Sequence, residues 1–299
     1  KKIGVKMAGH GLVVKFMCLI NVISMATAEQ LKSKPLADGC YHVLLDAGSN
    51  KGVHGRFLFE PEKYPKAKFL DAFNKYFGPI ETRRSNTCVF AFEPNPLHRE
   101  HQVATMNAYK AMGWRYYYMP VGVGDRAGSI EFFRNNVSTA GAAHEDWGFS
   151  TTNMEPNNPI NKQTSVKSDV IDFAKFVALN ILERETPKLS KEITKLQPTV
   201  LLKMDIEGYE YRVLTHMLVH GVLCKIDHIF GETHHHTGIT DKIFPMKISD
   251  HYTLQTPEDA AALMEHLNFM LIAGACKEHF REFDDENYLY DGMDYPVPT

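Results

Sequence analysis

The stretch that decides the fold is Tyr41-His42-Val43-Leu44-Leu45-Asp46-Ala47-Gly48-Ser49-Asn50-Lys51-Gly52. Val43, Leu44 and Leu45 are apolar without alternation, as in a strand covered on both faces. The run predicts a strand from Tyr41 to Asp46 that ends in a glycine-punctuated turn. Gly48 and Gly52 admit a tight turn and a close approach of backbone to a ligand, at the carboxyl end of a strand, where open parallel sheets bind their ligands. The spacing is neither G-x-G-x-x-G nor that of a P-loop, which disfavours a dinucleotide or a triphosphate.

Outward from this run, short apolar segments alternate with helical patterns, the mark of a doubly wound, mostly parallel α/β sheet. Further strands are expected at Cys88 to Glu93, Arg115 to Val121, Val200 to Asp205, Ile226 to Glu232 and Phe269 to Ala275, with Phe283 to Asp291 as an edge strand. Helical spacing appears in Val170, Phe173, Ala174, Val177, Ile181 and Leu182, again in Val213, Leu214, Met217 and Leu218, and in Ala260, Leu263, Met264 and Leu267. Trp147 to Thr164 is rich in Asn, Pro, Ser and Thr without a period and reads as a long loop, of the kind that serves as a lid.

The chain has 299 residues, 44% hydrophobic and 23% charged, enough for one large domain or two small ones. With 33 Lys+Arg against 36 Asp+Glu and no basic block, an electrostatic grip on nucleic acid is not expected. A small-molecule or glycan acceptor fits better as partner, and oligomeric state is not legible. The five cysteines, Cys18, Cys40, Cys88, Cys224 and Cys276, are far apart and form no C-x-x-C pair, which predicts neither a zinc cluster nor a disulfide framework. Lysines at 1, 2, 6 and 15, an apolar stretch from Phe16 to Met25 and Ala26-Thr27-Ala28 imitate a secretory signal. The alternatives are a lumenal protein with one sequon at Asn136 or a cytoplasmic one with a docking helix; the apolar run is too short for a stable membrane span.

Glu93, at the tip of the second strand in Phe92-Glu93-Pro94-Asn95-Pro96, is placed to accept hydrogen bonds from the vicinal hydroxyls of a ribose. A helix N-terminal charge accounts for the same residue, with Pro96 opening the helix. Gly122-Val123-Gly124-Asp125 offers a loop to flank an adenine, with Asp125 to accept its amino protons, or a plain turn. The most specific string is Leu201-Leu202-Lys203-Met204-Asp205-Ile206-Glu207-Gly208-Tyr209-Glu210.

These four motifs, D-A-G-S-N-K-G, F-E-P-N-P, V-G-V-G-D and L-K-M-D-I-E-G-Y-E, resemble in order and spacing those of the FkbM-type S-adenosylmethionine-dependent methyltransferases, over residues 40 to 235. The resemblance implies a Rossmann-like class I methyltransferase fold with a seven-stranded sheet, a catalytic domain over 39–299 behind an N-terminal segment 1–38, and O-methylation of a sugar or another hydroxylated metabolite. It implies that Asp46, Gly48, Asn50 and Gly52 hold the methionine end of S-adenosylmethionine and Glu93 its ribose, with Ser49 and Asn95 also among the cofactor-binding residues. Ser49 stands where alanine is more usual, Phe57 to Gly78 is a longer insertion, and His234-His235-His236 is not a family feature.

Methyl transfer to an alcohol needs alignment and a base, because the alcohol must lose its proton. Asp205, Glu207, Glu232 and His234 follow the fourth and fifth strands and are the catalytic candidates. Such a cluster works with a divalent metal or with His234 or a carboxylate as base; the metal-free route is the expectation, since no closely spaced acidic pair follows the fifth strand. Glu207 and Glu210 are equally readable as helix first-turn acids. Two other classes stay open: a nicotinamide-dependent oxidoreductase, separable by cofactor titration, and a non-catalytic nucleoside-binding module, separable by a methyl-transfer assay.

Overall fold

The computed structural model describes residues 34–135, 148–152, 165–191, 195–234, 244–248, 252–274, 276, 280–283, 285 and 296–298. The signal-like segment, the Asn136 sequon, most of the expected lid, His235 and His236 fall outside them. Leu36–Thr299 forms one compact unit.

Six strands pair in parallel: β1 (His42–Ala47), β2 (Thr87–Phe92), β3 (Arg115–Met119), β8 (Val200–Met204), β9 (His228–Gly231) and β12 (Phe280–Glu282), in the order β12-β9-β8-β1-β2-β3. The chain starts at the centre and winds outward both ways, so the ends of β1 and β8 lie side by side at the switch point where open sheets hold ligands. The uninterrupted apolar runs are explained by cover on both faces. Val43 and Leu45 of β1 enter one core with Phe90 of β2 and Leu202 of β8, while Leu44, Val89 and Leu201 enter the other. Each fully buried Leu or Val contributes ~1.5–3 kcal/mol.

The helices α1 (Val53–Phe59), α2 (Phe69–Phe77), α3 (Ile80–Asn86) and α4 (Arg99–Ala111) precede β2 or β3. The insertion after β1 is thus helical, and its Phe57, Phe69, Phe73 and Phe77 fill the second core. On the other face lie α5 (Phe173–Val177), α6 (Glu210–Val219) and α7 (Pro257–Ala273).

A four-stranded sheet stands beside the main one: β4 (Gly122–Gly124), β5 (Gly128–Asn135), β6 (Gly148–Ser150) and β7 (Val166–Asp172), in the order β4-β7-β5-β6. Its small core stacks Phe132 on Phe149 with ring centroids 5.0 Å apart. A two-stranded ribbon, β10 (Met246–Lys247) and β11 (Thr253–Leu254), leads into α7.

Several expectations are corrected. Among the described residues the main sheet shows six of the seven expected strands. Of the strand expected at Phe269 to Ala275, Phe269 to Ala273 instead completes α7, because Ala260, Met264, Leu267 and Leu271 form a buried helical stripe and Thr256 with Asp259 makes a capping box. Phe269 and Ile272 are instead exposed, and an unalternating apolar run does not by itself distinguish helix from strand. An edge strand forms at Phe280–Glu282; of the expected one, Phe283 to Asp291, all but Phe283 and Asp285 lies outside the described residues. Val170 belongs to β7, with Asp172 capping α5 through the Lys175 N–H. Part of the expected loop, Gly148–Ser150, pairs with β5.

The cysteine reading is also overturned. Cys40 is bonded to Cys88 and Cys224 to Cys276, with Cα atoms 5.7 and 4.7 Å apart. Partners 48 and 52 residues apart meet only because the sheet and α7 bring them together.

Candidate active site

The turn after β1 is built on left-handed backbone. Gly48, Asn50 and Gly52 have φ of 76°, 51° and 79°, values that favour glycine and tolerate asparagine. A Cβ at Gly48 would lie 1.7 Å from the carbonyl oxygen of Asp205, so the two loops touch backbone to backbone. The N–H groups of Gly48 and Ser49 donate to the Phe92 carbonyl at 3.1 and 3.0 Å, tying the turn to the end of β2. Gln102 of α4 braces it from below, donating to Ser49 Oγ and to the Asn50 carbonyl.

Glu93 reaches into this turn. Its two oxygens accept the N–H groups of Asn50 and Asn95, each at 2.8 Å, leaving one lone-pair direction on each for a ligand. Burial pushes its carboxyl up to about 7, against the pull of those two N–H groups and Lys203.

Between this turn, Glu93 and the second sheet lies a cleft of about 800 Å³, counted out to its open mouth. Gly48, Asn50 and Glu93 line one side, Asp205 and Glu207 another, and Ile130, Phe132 and Phe149 give it an apolar wall. Convergent polar groups facing an apolar wall are the composition of a small-molecule site.

An ionic cluster closes the inner end. Lys203 sits opposite Asp46 in the β1/β8 register; its ammonium donates to the Gly48 carbonyl at 3.0 Å and to Asp205 Oδ2 at 3.3 Å. Asp46 is fully buried, and neither of its oxygens accepts a hydrogen bond among the described residues, although His54 and Lys203 lie 3.4 and 4.0 Å away. His234 stands between acids: Nδ1 is 3.1 Å from Glu210, and Nε2 is 3.5 Å from Glu207 and 3.7 Å from Asp205. Burial works against its charge, but Glu210, Glu207 and Asp205 outweigh it and hold the imidazole well above its ordinary value. Burial also opposes ionisation of Asp205, yet Lys203, His234 and His54 keep its carboxyl below the usual range. Glu207, in a left-handed turn with φ 57°, is pushed up to about 8 by burial and by the charges of Asp205, Glu210 and Glu232, with His234 pulling the other way.

The structure therefore sorts the expected residues. Gly48, Asn50, Glu93, Asp205 and Glu207 line the cleft. Asp46, Ser49, Gly52 and Asn95 support it from behind: Gly52 lies against Tyr116, and Asn95 caps the turn after it by accepting the Leu97 N–H. Asp125 is not brought to the cleft lining, because Arg212 claims its carboxylate at 2.6 Å. His234 lies behind Asp205 and Glu207. Asp205, Glu232 and His234 each bring one potential ligand atom within 4.8 Å of the others, close enough for one cation. Glu210 opens α6 as a first-turn acid and accepts the Ile206 N–H, whereas Glu207 precedes the helix.

Sequence reasoning missed Lys203, Glu210, His54, His98 and Tyr209 as parts of the site. Lys203 alone carried a signal, as the one charge in a continuously buried strand. His98 lines the cleft and burial, with Lys51, His101 and Arg134 nearby, lowers it to about 4, so it is neutral there.

Fold and cleft together define an α/β protein with a cleft at the switch point of a parallel sheet. Residues 46–270, most of the chain, match the family described as "Methyltransferase FkbM domain", and the chain belongs to that family. Among curated proteins none matches significantly. The crystal structure of methyltransferase FkbM from Methylobacillus flagellatus KT aligns with a TM-score of 0.30 and 14% identity, over 62% of this chain and 30% of that one. No helix among the described residues is long and apolar enough to cross a membrane.

Proposed function

We propose that the chain is an S-adenosylmethionine-dependent methyltransferase that methylates a hydroxyl of a sugar, glycan or other small hydroxylated metabolite. The observation that carries this reading is the meeting, in one cleft, of the left-handed Gly48 to Asn50 turn, the Glu93 carboxylate and the Asp205 and Glu207 pair. The residues fit the cofactor: Gly48 and Asn50 line the cleft from a left-handed turn, and Glu93 keeps lone pairs for two ribose hydroxyls. Gly48, Asn50 and Glu93 would hold it directly, over Asp46, Ser49, Gly52 and Asn95. When bound, S-adenosylmethionine supplies an activated sulfonium methyl and leaves as the neutral thioether.

The chain's own contribution is alignment and proton transfer. Apolar walls from the second sheet exclude water, which strengthens the charges inside. Glu207, the cleft carboxylate with the highest affinity for a proton, would take the proton that the acceptor hydroxyl loses. Asp205 is held ionised by Lys203 and complements the sulfonium charge. Of the two kinds of base open from sequence, imidazole or carboxylate, this reading takes the carboxylate: His234, held as an imidazolium, is a positioning residue that compensates Asp205, Glu207 and Glu210. With Lys203 it offsets part of the negative charge of this cluster.

The two disulfides support a lumenal, oxidising location over the cytoplasmic alternative. Calorimetry with S-adenosylmethionine and its demethylated product, followed by labelled methyl transfer to hydroxylated acceptors, tests the function. Binding of a nicotinamide dinucleotide in their place overturns it.

A further inference from the structure

Glu93 does not face the cleft alone. Further along the same stretch, His98 lines it too, and only 5% of that residue is exposed. The chain folds back to place it there. Asn95, whose N–H holds Glu93 Oε1, accepts the Leu97 N–H on its side chain and the His98 N–H on its carbonyl, closing one turn of 3-10 helix over Pro96–His98. Carboxylate and imidazole are thus set by a single local motif. The carboxylate is engaged by two N–H groups, whereas among the described residues the imidazole makes no hydrogen bond and no ion pair. Burial, followed by the charges of Lys51, His101 and Arg134, lowers the ring to about 4. It therefore offers one N–H donor and one acceptor nitrogen at neutral pH.

A buried polar group with no partner is costly, and native folds keep few of them. A ligand in the cleft supplies the partner here. Glu93 can take the protons of two hydroxyls but, once ionised, has none to give, so the hydroxyl oxygens it binds keep lone pairs that only a donor can satisfy. An imidazole N–H is such a donor, and the ring suits the mixed donors and acceptors of an adenine edge equally. Lys51, the foremost of the charges acting on it, follows Asn50 in the turn after β1, which sets the ring on the side of the cleft given to the cofactor. We infer that His98 is a further cofactor-binding side chain, whose imidazole hydrogen-bonds the nucleoside half of S-adenosylmethionine beside Glu93. This rests on the methyltransferase reading, which supplies the ligand.

The test is calorimetry on the full chain with two probes: S-adenosylhomocysteine, and methylthioadenosine, which keeps the nucleoside and lacks the amino-acid end. His98→Ala and His98→Phe both remove the ring nitrogens, the second while keeping a ring; His98→Asn and His98→Gln put an amide within reach of one nitrogen position or the other. We expect the first two variants to weaken both probes by the same factor, about tenfold, and one amide variant to return to within about threefold of the wild type. Denaturant unfolding without ligand should find at least one of His98→Ala and His98→Phe no less stable than the wild type, because removing the imidazole leaves no partner unpaired. A residue that only shaped the turn would lose stability in both. Unchanged affinity for the two probes, weakening confined to S-adenosylhomocysteine, no recovery in either amide variant, or stability lost in both nitrogen-free variants overturns the inference. If the wild type binds both probes and the variants bind them equally well, the role of His98 alone is refuted. If the wild type binds neither, the methyltransferase reading fails instead.

Discussion

The main-chain N–H of Asn50 donates to Glu93 Oε2 over 2.8 Å, joining the turn after β1 to the tip of β2 across 43 residues of chain. The carboxylate therefore shapes the floor of the cleft as well as facing its ligand. Glu93→Ala should weaken cofactor binding by ~1.5–3 kcal/mol from lost charge-assisted hydrogen bonds. It should also lower stability by ~1–3 kcal/mol, because two N–H donors lose their acceptor. Calorimetry and denaturant unfolding separate the two effects, and unchanged cofactor affinity would remove Glu93 from the site.

Glu93 also carries a pH signature. Its carboxyl binds a proton more tightly in the folded chain, at about 7 against an ordinary 4.5. Its contribution to stability is thus fully present below 4.5 and declines as pH rises from there to about 7. Cofactor affinity should move the opposite way and increase as the carboxylate forms. Unfolding and binding measured from pH 5 to 8, with Glu93→Gln as the flat control, check both slopes.

Gly48→Ala should disable the site from the backbone. The residue has φ 76° and the added Cβ would lie 1.7 Å from the Asp205 carbonyl, so the two loops must separate. The backbone conformation alone costs ~1–3 kcal/mol, and methyl transfer should fall below detection. A variant with normal melting behaviour and full cofactor affinity would contradict this close approach.

What was legible in the sequence was what is local. The buried run Val43-Leu44-Leu45, the glycines of the turn and the position of Glu93 depend on a few neighbouring residues, and all appear where expected within a residue or two. The end of α7 was not, because Phe269, Met270 and Ile272 are apolar yet exposed and disguise the helical stripe. Nor were the disulfides: Cys40 and Cys88 meet through strand pairing, which no spacing rule encodes. The ionic cluster lay between. Asp205 and Glu207 announced themselves in one motif, whereas Lys203 meets Asp46 only through strand register and Glu210 meets His234 only after β9 docks beside β8.

The Cys40–Cys88 bond closes a loop of 48 residues and should contribute ~4 kcal/mol through loss of unfolded-state entropy. Cys40→Ala with Cys88→Ala should lower the denaturant midpoint accordingly, and thiol titration of the unfolded wild type should find Cys40, Cys88, Cys224 and Cys276 unreactive until reductant is added. Five reactive thiols in that titration, where Cys18 alone is expected, would reject both bonds and, with them, the support for an oxidising compartment.

The last prediction separates the possible proton acceptors. Glu207 titrates at about 8, with Asp205, Glu210 and Glu232 raising it and His234 lowering it. A base works only when ionised, so turnover should rise with pH through this range, the limb lying lower when the cationic cofactor is bound. Glu207→Gln should lose 10²- to 10⁴-fold in turnover and the alkaline limb with it, while cofactor affinity changes little. His234→Ala removes the cation that opposes proton uptake by Glu207. It should therefore shift the limb to higher pH and leave turnover at its plateau largely intact, which distinguishes a positioning residue from a base. Exhaustive chelation should leave activity unchanged. Activity lost on chelation and restored by magnesium or manganese would instead place a cation among Asp205, Glu232 and His234. A pH-independent collapse in His234→Ala, beside an active Glu207→Gln, would return the role of base to the imidazole.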